Sequence, residues 1–440
     1  MTLYAVQTGE IDPVAPPRFP RELPAWPVLA VLWGMPLWWA GGLLQFSTII
    51  LAVPMIAFLI QRWRIMLVPG VLPWLAFVAW TIPCAMMLDS VGRMIGFSLR
   101  FAQFSAVAVA LIYVINAPRS LTVRRILDAL TFTWVFVIIG GYLGMLWPNT
   151  TLTMTIGHFL PGSIVQNPYV SDLVFPTFSE VQTPWGAAEP FVRPSAPFAY
   201  TNGWGAAIAI LTPVAIASAL TRRTGKAVIW LMVGLLALVP PAIATTNRGL
   251  FIGLIISVVY VLVRLLLRGK WIPFAWIGSL GAILVVILTL SGAIDGITER
   301  QDTVDTTAGR ESLYSEAFDR TLLSPLLGYG APRPSFTSEI TVGTQGMVWS
   351  AMFCFGFIGL ALFALFMIGG VLRTWRAPNV ATLWLHSTLI AACAMSVFYG
   401  LDSHMFAIAL ILGIMLREKH TPDSSFWTAN PRAESLAHES

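Results

Sequence analysis

Charge is scarce in this chain. Only 11% of its 440 residues are Asp, Glu, Lys or Arg, against about 25% in an ordinary soluble domain. Lysine is nearly missing: Lys226, Lys270 and Lys419 are the only three, so arginine supplies the rest of the basic side chains. The deficit excludes a soluble domain of this size. It also removes the usual inference from a net charge of +5 to a nucleic-acid partner. Cysteine is rare as well. Cys84, Cys354 and Cys393 all lie in apolar runs, which excludes a disulfide framework or a zinc site built on thiolates. Residues 1–26 are polar and Pro-rich, without a basic stretch leading into an apolar core. The first span is therefore expected to act as an uncleaved signal. No Asp-x-Asp or His-rich cluster calls for a metal, and neither a heptad nor a solenoid repeat is visible.

What is abundant is apolar sequence, 57% of the chain, with 18 Trp and 26 Phe. Its runs recur at close to the 20 residues a helix needs to cross about 30 Å of hydrocarbon. Helices are expected because a lipid-facing backbone must satisfy its own hydrogen bonds. The sequence therefore reads as an all-α polytopic membrane protein with about twelve transmembrane helices. The segments are roughly 27–44, 46–61, 66–88, 94–116, 127–147, 203–220, 227–245, 249–268, 271–293, 345–370, 379–399 and 402–416. Short basic connections fall at every second boundary: Arg62/Arg64, Arg119/Arg124/Arg125, Arg222/Arg223/Lys226, Arg268/Lys270, Arg373/Arg376 and Arg417/Lys419. The positive-inside rule makes that side cytoplasmic. A single transmembrane domain, 27–416, then sits between cytoplasmic tails at 1–26 and 417–440, the second of them polar. Two long connections, 148–202 and 294–344, fall on the outer face.

Those outer connections hold the anomaly. Arg193, Arg248, Arg300, Arg310, Arg320 and Arg333 all lie where the rule disfavours arginine. Long outer loops do translocate regardless of charge, and acidic neighbours such as Glu316, Asp319 and Glu339 solvate them. The cluster in "DTTAGRESLYSEAFDRTLLSPLLGYG" nonetheless asks for an anion. Leu313/Tyr314, Ala317/Phe318 and Leu322 recur at helical spacing. They predict a short amphipathic helix over about 307–323 that lies along the outer membrane surface, begins at Thr306 or Thr307 and stops at Ser324-Pro325. Arg310 near its start is misplaced for the helix dipole but suited to a phosphate, whose oxygens match a guanidinium fork. Arg248 in "TTNRG" and Arg193 in "FVRPSAPFAYTNGWG" stand at outer mouths of spans. Arg100 lies within a span, where an arginine either marks a site or snorkels to the interface. His158 and His404 read as surface or interfacial residues.

Three patches resemble the O-antigen ligase and polymerase family of bacterial integral-membrane glycosyltransferases. They are "TTNRG", "GRESLYSEAFDRTLLSPLLGYG" with its Pro-Leu-x-Gly-x-Gly turn, and "GTQGMVWSAMFCFGFIGLALF" at the outer start of the next span. The resemblance implies a GT-C-like architecture in the cytoplasmic (inner) membrane. It implies an inverting, metal-independent transferase with no cofactor. Its donor would be a glycan on an undecaprenyl-diphosphate-type carrier, its acceptor a sugar hydroxyl of a glycan or glycolipid. Arg248 and Arg310 would hold the carrier diphosphate, with Arg193 and Arg100 as further candidates. One departure stands out: where ligases of the family carry a catalytic His, this chain has Gln345. A neutral amide orients a hydroxyl but does not take its proton. Glu339, Asp305 and His404 are the alternative bases. The competing function is a transporter or flippase of lipid-linked glycans. Against it, the ionisable residues cluster in outer loops rather than along a path through the bilayer.

Overall fold

A chain this apolar satisfies its backbone by coiling, and the computed structural model is mostly helical. It describes residues 22–62, 64–182, 191–222, 224–290, 306–336 and 341–418. Glu339, Asp305 and Arg300, most of the N-terminal tail and nearly all of the C-terminal tail lie outside the described residues.

The first half carries α1 (Trp26–Trp33), α2 (Met35–Ala40), α3 (Leu44–Arg62), α4 (Leu72–Cys84), α5 (Val91–Asn116) and α6 (Val123–Leu146). A connecting segment follows with short helices α7 (Gly162–Val165) and α8 (Pro168–Val174) and a hairpin of β1 (Ser179–Gln182) and β2 (Phe191–Pro194). Then come α9 (Thr201–Arg222), α10 (Gly225–Ala244), α11 (Arg248–Leu267) and α12 (Trp271–Leu290). After α13 (Thr306–Leu323) a two-residue ladder pairs β3 (Arg333–Pro334) with β4 (Thr341–Val342). The chain ends in α14 (Met347–Arg373), α15 (Val380–Met395) and α16 (Met405–Arg417).

Among the described residues, seven helices are long and apolar enough to cross a membrane: α3, α5, α6, α9, α10, α11 and α14. The apolar stretches Leu72–Met87 and Val380–Met395 are shorter. The first expected span, 27–44, is not one helix. It divides at Gly34 into α1 and α2, because Pro36 has no N–H to continue the ladder.

Helix α9 is the centre of the bundle, with 83% of its spanning window buried. Its run of Gly and Ala allows neighbours to approach closely, the usual way helices pack where lipid and side chain are equally apolar. Trp134 of α6 donates to Thr212 at 3.0 Å, and Trp204 of α9 returns a bond to Val137 O at 2.8 Å. Thr388 of α15 reaches Ile210 O from the other side.

The helix ends sort by charge. At one end Arg62 donates to Asn116 O, Arg417 to Val114 O, and Arg264 to Trp375 O, and Arg222 pairs with Asp128 at 2.6 Å. Most of these arginines close helix C-termini, where the free carbonyls favour a cation. The opposite end carries the connections 147–200 and 306–346.

The segment 307–323 is helical as expected and stops before Ser324, but it does not lie loose on the membrane surface. Leu313, Ala317 and Thr321 form a buried stripe against α14. Tyr314 stacks on Trp349 at 4.3 Å, and Phe318 meets Phe357 edge-on. Two aromatic pairs of this kind add to the apolar burial, and the stripe is too narrow to satisfy both protein and lipid. Leu322 and Leu323 remain exposed at its end.

Candidate functional site

The "TTNRG" motif forms the turn between α10 and α11. Thr246 sits at φ 46°, a strained value for a β-branched residue. Asn247 caps α11, accepting from Leu250 N at 3.3 Å, and its amide donates to Thr201 O at the start of α9. The Tyr399 hydroxyl donates to Asn247 Oδ1. Gly249 leaves the room for that ring, since a Cβ there would stand 2.1 Å from the Tyr399 hydroxyl. Asn247 and Gly249 are thus explained by packing, and Arg248 lies half-buried between them.

Tyr399 also receives the start of α14. Met347 N donates to Tyr399 O at 2.9 Å and Val348 N to Ser396 O at 2.9 Å. Gln345 lies two residues before Met347, its amide bonded to Thr344 at 3.3 Å and its backbone directed by Gly346 at φ 133°. Tyr399 therefore ties the turn that holds Arg248 to the start of α14, two residues after Gln345. The starts of α9, α11 and α14 meet there, and N–H groups of each are taken up by the protein itself.

Arg100 enters the same region from α5. Its Nε lies 3.6 Å from Asp402, and its Nη1 donates to Ser350, one turn into α14, at 3.4 Å. It does not simply snorkel: a carboxylate has been brought down to meet it. Beside the pair, Gln45 and Ser403 exchange hydrogen bonds at 2.8 and 3.1 Å, and Gln103 reaches Gln45 O. These polar groups line a small cavity of about 80 Å³ with Asp402 and His404. His404 is not the surface residue expected. It is 5% exposed, tilted onto Phe198, and its Nε2 bonds Gly203 O at 2.9 Å. The Leu401–Met405 turn folds inward between α15 and α16, which the sequence around it did not signal. His158 does lie exposed, at the edge of Phe175.

Arg193 has a different place. It sits opposite Glu180 in the β1–β2 hairpin, 6% exposed, and pairs with it at 3.3 Å. The other business of Glu180 is to accept from Thr201 N at 2.8 Å, closing the N-terminus of α9. Arg193 is the counter-ion of a helix cap.

Two of the arginines after α12 are likewise structural. Arg320 pairs with Glu316 at 2.9 Å, donates to Pro334 O at 2.9 Å, and lies over the rings of Tyr329, Phe336 and Phe353. Arg333 pairs with Asp89 and donates to Met87 O at 2.7 Å. Burial works against the Glu316 carboxylate, but bonds from Ser335, Arg320 and Phe336 N outweigh it and hold it below the usual carboxylate range. Arg310 lies within the first two turns of α13, on the same side of the bundle as Arg248.

The Pro-Leu-x-Gly-x-Gly turn proves to be a backbone joint. Helix α14 breaks at Gly356, whose φ of 71° and ψ of −176° only glycine adopts readily. The groups freed by the break are taken up from outside the helix. Tyr329 N donates to Phe353 O, Gly330 N to Cys354 O, and Trp80 Nε1 to Phe355 O, at 2.9, 2.8 and 3.0 Å. Phe357 N donates back to Pro325 O at 2.8 Å. Gly328 and Gly330 have positive φ, and a Cβ on Gly328 would stand 2.5 Å from Phe353 O. Non-helical backbone at this depth is tolerated where protein re-satisfies it.

Among the described residues, no group of three or more His, Cys, Asp or Glu stands together as a metal site. No protein-family model matches the chain, and a search of curated proteins returns no match.

Proposed function

We propose that the chain is a bacterial inner-membrane glycan transferase with twelve spans and both termini cytoplasmic. It would take its glycan from a polyprenyl-diphosphate-type carrier at the outer face. On that reading the end rich in Arg62, Arg222, Arg264 and Arg417 is cytoplasmic by the positive-inside rule. The end with α13 and the β hairpin faces outward.

The observation that carries the reading is that Tyr399 ties the turn holding Arg248 to the start of α14 just after Gln345, with Arg100 bonded to Ser350 in the first turns of the same helix and paired with Asp402. A diphosphate leaving group gathers charge on its oxygens as the glycosidic bond breaks. Fixed guanidinium groups in a poorly solvated site stabilise that charge. Arg248 and Arg310 are the proposed donor ligands, and Arg100 is a deeper one whose charge Asp402 partly compensates. Arg193 drops out, since Glu180 holds it. In the transfer the acceptor hydroxyl attacks the anomeric carbon, the bond to the diphosphate breaks, and the hydroxyl proton leaves to a base. Gln345 orients that hydroxyl, and Glu339 is the candidate base. A flippase is disfavoured by placement: α9 and α16 carry no ionisable residue between their ends.

The test is complementation in the native host with Arg248→Ala and Arg310→Ala at normal membrane levels. Loss of surface polysaccharide with carrier-linked glycan accumulating outside is the expected result. Accumulation on the cytoplasmic side points to transport instead, and normal polymer in both variants removes the site.

A further inference from the structure

The basic end of the bundle holds a second site, unrelated to the transfer chemistry. The C-termini of α11, α14 and α16 enclose an open cavity of about 990 Å³ lined by Arg264, Arg268, Arg373 and Arg376. Glu418 is the one carboxylate on its wall among the described residues. Helix C-termini and the positive-inside bias each explain an arginine here singly. They do not explain why four from two separate segments face one cavity.

One of the four is built in. Arg264 is 9% exposed, donates to the Tyr260 hydroxyl at 2.6 Å and to Trp375 O at 3.1 Å, and lies 4.2 Å over the Trp375 ring. Tyr260 in turn meets His386 Nδ1 at 2.6 Å, and His386 Nε2 meets Val371 O at 2.9 Å. With the Nε2 tautomer, each group in the chain from Val371 O to Arg264 has its partner, so the guanidinium is held rigidly. Arg268 lies close enough to Arg264 to feel its charge, and Arg373 and Arg376 reach the cavity from exposed positions. A cavity this size suits a small molecule or headgroup, and its electrostatics demand an anion. The rim adds a second requirement: Leu267 and Leu372 beside it are 77% and 65% exposed, and Trp375 is 48% exposed. That is a surface for acyl chains with an interfacial aromatic anchor.

We propose that this cavity binds the phosphate of an anionic glycerophospholipid from the cytoplasmic leaflet. The guanidinium groups take the phosphate oxygens, and the exposed leucines take the chains. The site would fix the ends of α11, α14 and α16 relative to one another, and with them the register of the helices whose other ends carry Arg248 and Gln345.

The test uses the full chain purified in neutral detergent, with bound lipid read by native mass spectrometry. Phosphatidylglycerol and cardiolipin are compared with phosphatidylcholine, and inorganic phosphate and ATP form the soluble arms. The expected result is preferential retention of the anionic lipids, weakened about thirtyfold in Arg373→Ala/Arg376→Ala, from about 1 kcal/mol per basic residue at a membrane surface. Both side chains are exposed, so that variant should fold, and Arg373→Lys/Arg376→Lys should keep most of the binding. Arg119→Ala/Arg124→Ala removes two charges from the same end but outside the cavity, and should bind as the unaltered protein does. Equal weakening in that control, equal retention of phosphatidylcholine, or unchanged binding in the alanine variant would each overturn the proposal. Competition by phosphate or ATP with no lipid retained would make it a soluble-anion site instead, and also overturns it. None of these outcomes bears on transfer at the opposite end, which glycan accumulation reports separately.

Discussion

The Tyr399 hydroxyl donates to Asn247, and its ring fills the space that Gly249 leaves open. One tyrosine thus locks the turn before α11 to the segment that receives α14. Gly249→Ala puts a methyl group onto that hydroxyl and should destabilise by about 1–3 kcal/mol. Tyr399→Phe removes one of the two donors to the buried Asn247 Oδ1, at about 0.5–1.5 kcal/mol. Because Phe removes the atom closest to the new methyl, the double variant should lose less than the sum. Thermal melts of the four proteins in detergent decide it, and strict additivity would refute the proposed contact.

Arginines that look alike in the sequence should separate in experiment. Arg248→Ala should lower transfer per folded molecule by about 10²–10³-fold, the scale for removing one donor to developing charge. Arg193→Ala should act on folding instead. It leaves Glu180 buried without its counter-ion, a loss of about 3–5 kcal/mol, and so should reduce folded protein in the membrane. Equal melting temperatures for both variants would contradict the assignment.

The joint at Gly356 makes a third case. Gly356→Ala forces a side chain into a backbone region reserved for glycine and against Leu326 O, where its Cβ would stand at 2.1 Å. Membrane levels should fall sharply, with the residues around 324–330 becoming susceptible to protease from outside. Wild-type levels and protease resistance would show that the break tolerates a side chain.

Glu316 supplies a pH dependence. Its folded carboxylate lies below the ordinary value of 4.5 despite burial, because Ser335, Arg320 and Phe336 N bond the charged form. Its contribution is present in full above the unfolded pKa and is lost as pH falls through the lower, folded one. Glu316→Gln should therefore melt lower than the unaltered protein at neutral pH, by about 1–2 kcal/mol. The two curves should converge in acid below the usual carboxylate range. A constant gap across pH would mean that the charge is not what Arg320 and Ser335 hold.

How much of this was legible depended on the physics each signal reports. Apolar runs located helices, because length and hydropathy act locally, but Gly34–Pro36 and Gly356 each interrupt a run that hydropathy read as one. The 313/317 periodicity placed α13 correctly but left its partner open. Protein and lipid both accept an apolar stripe, and the ring of Trp349 that decides the matter lies well downstream. Arginine enrichment could not sort Arg248 from Arg193, Arg320 and Arg333. Their carboxylates, Glu180, Glu316 and Asp89, are set by hairpin register and by long-range packing. Asp402 meeting Arg100, and His404 turning in to Gly203 O, likewise arise from elements about 300 and about 200 residues apart in sequence.

The break in α14 also limits how the outer face can move. Because the 324–330 turn supplies hydrogen-bond partners to carbonyls roughly 10 Å along the helix from Met347, lifting it would strand backbone groups within the apolar layer. That side of the outer rim behaves as a fixed jamb.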